Sequence, residues 1–184
     1  MPRFPDDFYG FPEVPLHIHL GMQFLRPDPE GPATVTVPAS PDFTDEDGRQ
    51  SLAAVYTCGE VAAGIAVCDA LVLNAAEAET AMVPLVLTRE TQFTPHERAR
   101  GEIRSETGFV GDSSAAVDKL RSARKVMVRT EARLYDEDDR LAGELLVDFY
   151  VRLMDRSRLE AMAGALTPTM ATPRNETVSS GGTA

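Results

Sequence analysis

Between Ser51 and Asn74 lies a stretch in which Glu60 and Asp69 are the only charged side chains. A run this long has two resting places: a bilayer, which about 20 apolar residues cross, or the centre of a globular core. Ala and Gly dominate it and two carboxylates interrupt it, which favours the core. Ser51 suits the N-cap of a helix, and Asp42, Asp45, Glu46 and Asp47 just before it suit the positive end of the helix dipole. The expectation is one long helix, apolar all round, that other elements must enclose.

The flanking sequence supplies strands for that purpose. A lead segment, residues 1–15, carries Pro2, Pro5, Pro12 and Pro15, which break regular structure. His17 to Leu25 reads as a strand, Pro27 to Pro32 as turn punctuation, and Ala33 to Val37 as the returning strand of an antiparallel hairpin. After the helix, Met82 to Phe93 and Ala99 to Phe109 read as strands, and Asp112 to Ser122 as a short helix. Lys125 to Tyr135 alternates apolar Val126, Val128, Ala132 and Leu134 with charged Arg129, Glu131 and Arg133, the mark of a half-buried strand. Asp136 to Asp139 forms a turn, and Leu141 to Met154 returns. The domain is expected over 16–155, followed by an extension over 156–184 that is rich in Thr, Ser, Gly and Pro past 166 and expected to be mobile. Two strands, one buried helix and four strands make an α+β domain: an antiparallel sheet of about six strands wrapped around one long central helix.

Composition excludes some functions. With 18 Lys and Arg against 29 Asp and Glu, the net charge is −11, which disfavours nucleic acid because its phosphates need a basic footprint. An acidic surface also repels anionic membranes. Met1 to Asp7 shows no apolar signal region, so the expected location is cytoplasmic. Cys58 and Cys68 both lie in the apolar stretch and read as reduced core thiols.

Several short motifs resemble a known family. His19-Leu20-Gly21-Met22, the Gly48-x-x-Ser51 entry to the helix, Gly59-Glu60-Val61-Ala62-Ala63-Gly64 within it, Thr91-Gln92-Phe93-Thr94-Pro95, and Leu134-Tyr135-Asp136-Glu137-Asp138 are similar in kind and order to the hot-dog thioesterases of the phenylacetic-acid-degradation type. The resemblance spans roughly residues 16 to 154. It implies a hot-dog fold, an acyl-CoA or other acyl thioester as ligand, no cofactor, and a homodimer or homotetramer with sites between protomers. The family's Asn-x-x-Gly-x-x-His-Gly-Gly loop and the later helix carboxylate fall on Asp45, Gly48, Ser51, Leu52, Ala53 and Glu60. Only Gly48 and the carboxylate match; Asp, Ser, Leu and Ala stand where the family has Asn, His and the two Gly.

Glu60 carries the chemistry in this reading. A carboxylate amid apolar helix is costly unless a partner or a cleft explains it. It either attacks a thioester carbonyl or activates water, and the resemblance makes the backbone amide of Leu52 the oxyanion donor. Tyr56 and Gly64 lie one turn either side on the same face, Tyr56 to hydrogen-bond the carboxylate and Gly64 to leave room for an acyl chain; Ser51 and Asp45 are further substrate-side candidates. The structural alternative for Glu60 is a carboxylate satisfied by an Arg or a subunit contact. Asp69 is expected to be solvent-exposed. The resemblance suggests coenzyme A phosphates near Arg121, Arg124 and Lys125, with a solvated turn as the alternative. His17 and His19 would share one strand face but lack further ligands, so no metal is expected. His96 reads as a surface residue, and Ser113-Ser114 has no triad partners nearby. An acyl-CoA thioesterase-like hydrolase therefore leads, with a catalytically silent hot-dog module that binds acyl thioesters or serves in assembly as the rival.

Overall fold

The computed structural model describes residues 15–25, 33–72, 82–155 and 157. The elements are α1 (Pro15–His19), β1 (Gln23–Leu25), β2 (Thr34–Val37), α2 (Leu52–Val67), a π-helical turn (Cys68–Val72), β3 (Met82–Pro95), β4 (Ile103–Val110), α3 (Ser113–Ala123), β5 (Lys125–Tyr135) and β6 (Leu141–Asp155). The six strands form one antiparallel sheet in the order β1-β2-β4-β5-β6-β3. The lead segment up to residue 14, the Pro27–Pro32 turn and nearly all of the C-terminal extension lie outside the described residues.

The apolar run folds as its composition requires. Ser51 caps α2, its Oγ accepting from the Ala54 amide at 3.2 Å. Ala54, Val55, Cys58, Val61, Ala62 and Ile65 are buried, and α2 leans on β2, β4, β5 and β6 while scarcely touching β3. By length and composition the segment Leu52–Leu71 would cross a membrane, but two thirds of its most apolar window is buried inside the fold, so it is a core helix. The sheet answers with strict alternation: Val126, Val128, Thr130, Ala132 and Leu134 of β5 are buried and the residues between them exposed. Burying each Val or Leu removes apolar surface worth roughly 1.5–3 kcal/mol.

Three expectations need correction. His17 to Leu25 is not one strand, because Pro15–His19 is helical. The Leu20 amide donates to Leu16 O at 2.9 Å and the Met22 amide to His17 O at 3.0 Å, while Gly21 takes φ +66° to end the turn. His17 and His19 therefore share no strand face; His17 is buried and His19 is exposed, edge-on to Phe43. Asp69 is half-buried rather than solvent-exposed. The strand expected from Ala99 begins at Ile103; the Ala99 carbonyl is instead taken by the Gln50 amide at 2.8 Å.

Candidate functional site

Helical geometry puts Glu60 on the face of α2 that the sheet leaves uncovered. At about 100° per residue, Ala53, Tyr56, Thr57 and Glu60 share one side, and all four are exposed or half-buried while Ala54, Val55, Cys58 and Gly59 are buried. Gly59 fixes this orientation. A Cβ on it would lie 2.5 Å from Leu145 Cδ1 and 3.0 Å from Leu134 Cδ1, so the helix backbone rests directly on β5 and β6. Among the described residues nothing forms a hydrogen bond or ion pair with the Glu60 carboxylate. An Arg partner within the described chain is thereby removed as its explanation.

Beside it stands an aromatic wall. The Tyr56 and Phe93 rings meet edge-on, 5.8 Å apart at 76°, a favoured geometry for aromatic pairs. Gly143 makes room for Phe93, since a Cβ there would sit 2.7 Å from the ring's Cε2. Tyr56 thus packs on Phe93, and no hydrogen bond joins it to Glu60 among the described residues. Gly64, one turn beyond Glu60, is buried. Phe93 entered the sequence reading only within a motif; its contact with Tyr56 is long-range and leaves no local signal.

The entry to α2 is held from below. Gln50 is fully buried, its Nε2 donating to Pro38 O at 3.2 Å and Gly101 O at 2.9 Å. Asp45 organises the preceding loop: its Oδ1 accepts from the amides of Asp47 (3.1 Å) and Arg49 (2.9 Å), and its Oδ2 from Arg98 (2.9 Å). The Arg49 amide, then Arg98, hold the Asp45 carboxyl below its ordinary value. Gly48 takes φ +73° at the end of this turn, a conformation that favours glycine. The Asp45 carboxylate is therefore committed to the loop, and the Ser51 hydroxyl to the helix cap. Leu52 exposes 47% of its surface at the helix tip, where the first amides of a helix lack intrahelical acceptors.

At the opposite end of the sheet, Arg124 and Lys125 line a cleft of about 420 Å³ together with Tyr150, Arg152 and Asp155. Arg124 ends α3 in the left-handed conformation, φ 56°. Arg121 is exposed but does not line the cleft. Arg152, absent from the sequence reading, arrives because it is the cross-strand partner of Lys125. Both cysteines are buried; burial, helped by Asp69, pushes the Cys68 thiol up to about 12, and burial raises Cys58 further. Among the described residues no cluster of His, Cys, Asp or Glu is placed to hold a metal.

No protein-family profile matches the chain, and no curated protein does. Solved structures do. A Pseudomonas aeruginosa protein of unknown function, described as a probable thioesterase, aligns with TM-score 0.61 over 77% of this chain and 89% of its own at 16% identity. A thioesterase family protein from Silicibacter pomeroyi aligns at 0.55 over 79% and 93%, 17% identical. A protein of unknown function from Chlorobaculum tepidum aligns at 0.61 over 78% and 90%, 14% identical. At these identities the likeness is one of fold. The chain has the hot-dog fold, the architecture of thioesterase-superfamily proteins.

Proposed function

We propose that the chain is an acyl-CoA thioesterase-like hydrolase in which Glu60 is the nucleophile or the general base. The observation that carries this reading is the half-buried Glu60 carboxylate, without a partner among the described residues, on the uncovered face of α2 beside Tyr56 and Phe93. As base it takes a proton from water, the hydroxide adds to the thioester carbonyl, and collapse of the tetrahedral oxyanion expels the thiolate, which leaves as thiol. As nucleophile it adds to the thioester carbonyl and the C–S bond breaks, the thiolate leaving as thiol with a proton from water; water then hydrolyses the mixed anhydride to the free acid and restores the Glu60 carboxylate. The amide of Leu52 is the oxyanion donor. Eight residues separate Leu52 from Glu60, about 12 Å of helix rise, so the donor that meets a given Glu60 belongs to a second protomer, and the working unit is a homodimer or a tetramer of two. Arg124, Lys125 and Arg152 supply a cationic cleft for the phosphates of coenzyme A, on an otherwise acidic, cytoplasmic protein.

The test is thiol release from a panel of acyl-CoAs by the wild type and by Glu60→Gln, which keeps the side chain's shape and removes its charge. Loss of a general base lowers turnover by roughly 10²–10⁴-fold. Equal rates would remove Glu60 as the reacting group. One observation favours a second reading, a silent module: Asp45, standing where the family has its loop Asn, spends its carboxylate on Arg98 and two amides. Saturable acyl-CoA binding with no turnover by the wild type would decide for that reading.

A further inference from the structure

The two faces of the sheet differ in what covers them. Val126 and Val128 of β5 pair with Val151 and Phe149 of β6, all four buried, on the side where α2 and α3 pack. Side chains of a strand alternate between faces, so Lys125 and Met127 lie on the outer side with their partners Arg152 and Tyr150. Leu85 and Leu87 of β3, which pair with those same two residues of β6, lie there as well. Leu87, Tyr150 and Met127 thus make an apolar row across three strands, with Leu85 one step along β3. Leu87 is 47% exposed and Met127 42%, while Leu85 and Tyr150 are half-buried.

Met154 breaks the pattern of this outer face. It follows Tyr150 and Arg152 at the same parity, and the β3–β6 register runs without a shift from Thr88↔Phe149 to Met82↔Asp155. Arg152 is exposed, yet Met154 keeps only 7% of its surface. That burial calls for cover on the outer side at the end of β6, where the chain leaves the sheet. Asp155 is the last residue of the strand, and Ser157 is already helical. The sequence beyond it carries Leu159, Met162, Ala163 and Leu166 at i, i+3, i+4 and i+7, one face of a helix. Glu160 and Gly164 fall on the other face, and Pro168 stops a helix just past Leu166. From Leu159 to Leu166 a helix rises about 10 Å, which matches the two interstrand spacings of about 4.8 Å each between β3 and β5.

We infer that residues 157–166 fold back across this outer face as an amphipathic helix, with Leu159, Met162 and Leu166 resting on Met154, Tyr150, Leu87 and Met127. The segment shields a strip that, left bare, is a surface for self-association. It also borders the cleft of Arg124, Lys125 and Arg152 on the side of Tyr150, which lines that cleft and belongs to the strip. The docking does not depend on the proposed hydrolysis.

Methionine methyl groups report on this contact in the full chain. Met127 and Met154 lie beneath the segment and Met162 within it, while Met22 is buried in the core, 2% exposed, and serves as the internal control. In nuclear magnetic resonance of the chain with isotope-labelled methionine methyls, cross-relaxation is expected between Met162 and the methyls of Met154 and Met127. Leu159→Ser/Leu166→Ser is expected to shift the Met127 and Met154 signals, to leave Met22 in place, and to sediment as a larger species than the wild type as bared strips meet. Hydrogen exchange on the wild type needs no substitution and is expected to show protected amides over 162–166. Unmoved Met127 and Met154 signals, or freely exchanging amides over 162–166, would overturn the docking. So would cross-relaxation that fades on dilution, which gives the strip to a second copy, or a Met22 signal that moves with the others, which puts the segment in the core. Shifted signals with unchanged sedimentation would keep the docking and overturn the shielding.

Discussion

Replacing Gly59 by Ala tests the close seat of α2 on the sheet. The new methyl would enter 2.5 Å from Leu145 Cδ1 and 3.0 Å from Leu134 Cδ1, both side chains fully buried or nearly so. Forcing a methyl into a filled core costs about 1–3 kcal/mol. Ala in place of Gly within a helix returns about 1 kcal/mol. The net expectation is a loss of about 1 kcal/mol, or a fall in Tm of about 2–4 °C for a chain of this size. Leu145→Ala alone leaves a cavity costing about 2–5 kcal/mol, but that cavity lies where the methyl introduced by Gly59→Ala goes. The double variant is therefore expected to recover about 1 kcal/mol or more relative to the sum of the singles, within the usual range for contacting pairs. Urea unfolding followed by circular dichroism measures all four proteins. Additivity within about 0.5 kcal/mol, or Gly59→Ala gaining the whole helix-propensity term, would refute the reasoning, since either result means helix and sheet do not touch there.

Other expectations follow from the site and its surroundings. Arg152→Ala and Lys125→Ala are expected to raise KM for acyl-CoA several-fold with little change for acyl-pantetheine, which lacks the nucleotide phosphates; equal effects on both substrates would detach the cleft from phosphate binding. Because the Asp45 carboxyl is held low in the folded state, its contribution is full above the ordinary carboxylate range and is lost as pH falls through the depressed value. The Tm deficit of Asp45→Asn should accordingly be present at neutral pH and vanish in strong acid, and a deficit that persists there would contradict the ionic origin. Cys68, with its thiol near 12, and Cys58, above it, should resist iodoacetamide at a pH of about 8 until the protein unfolds, when two adducts appear by mass spectrometry.

Much of the architecture was legible because it is written in long periodic segments. The apolar run set the central helix, Ser51 its start, and the period of two in Lys125–Tyr135 named the buried face of β5 correctly. α1 was missed since five residues are too few to resolve a period, although Pro15 and Gly21 punctuate it as helix ends do. Glu60 stood out as a charge in apolar surroundings. Its setting did not: Phe93 reaches Tyr56 across 37 positions of sequence, and Arg152 joins Lys125 only through strand register. The position of Asp45 suggests a substrate-side residue, while its bonds to the Asp47 and Arg49 amides follow a local preference of Asp in turns. Gln50, which clamps the helix entry, gave no sequence signal because its acceptors are carbonyls, which every residue carries.

The enclosure of α2 also sets an order of events during synthesis. Residues 52–72 leave the ribosome before residues 103–155, which furnish the strands β4, β5 and β6 that cover them. At roughly 5–20 residues per second, the greasy segment waits several seconds for its cover. A nascent chain of this design thus carries its apolar helix without the cover of β5 and β6 until those strands emerge.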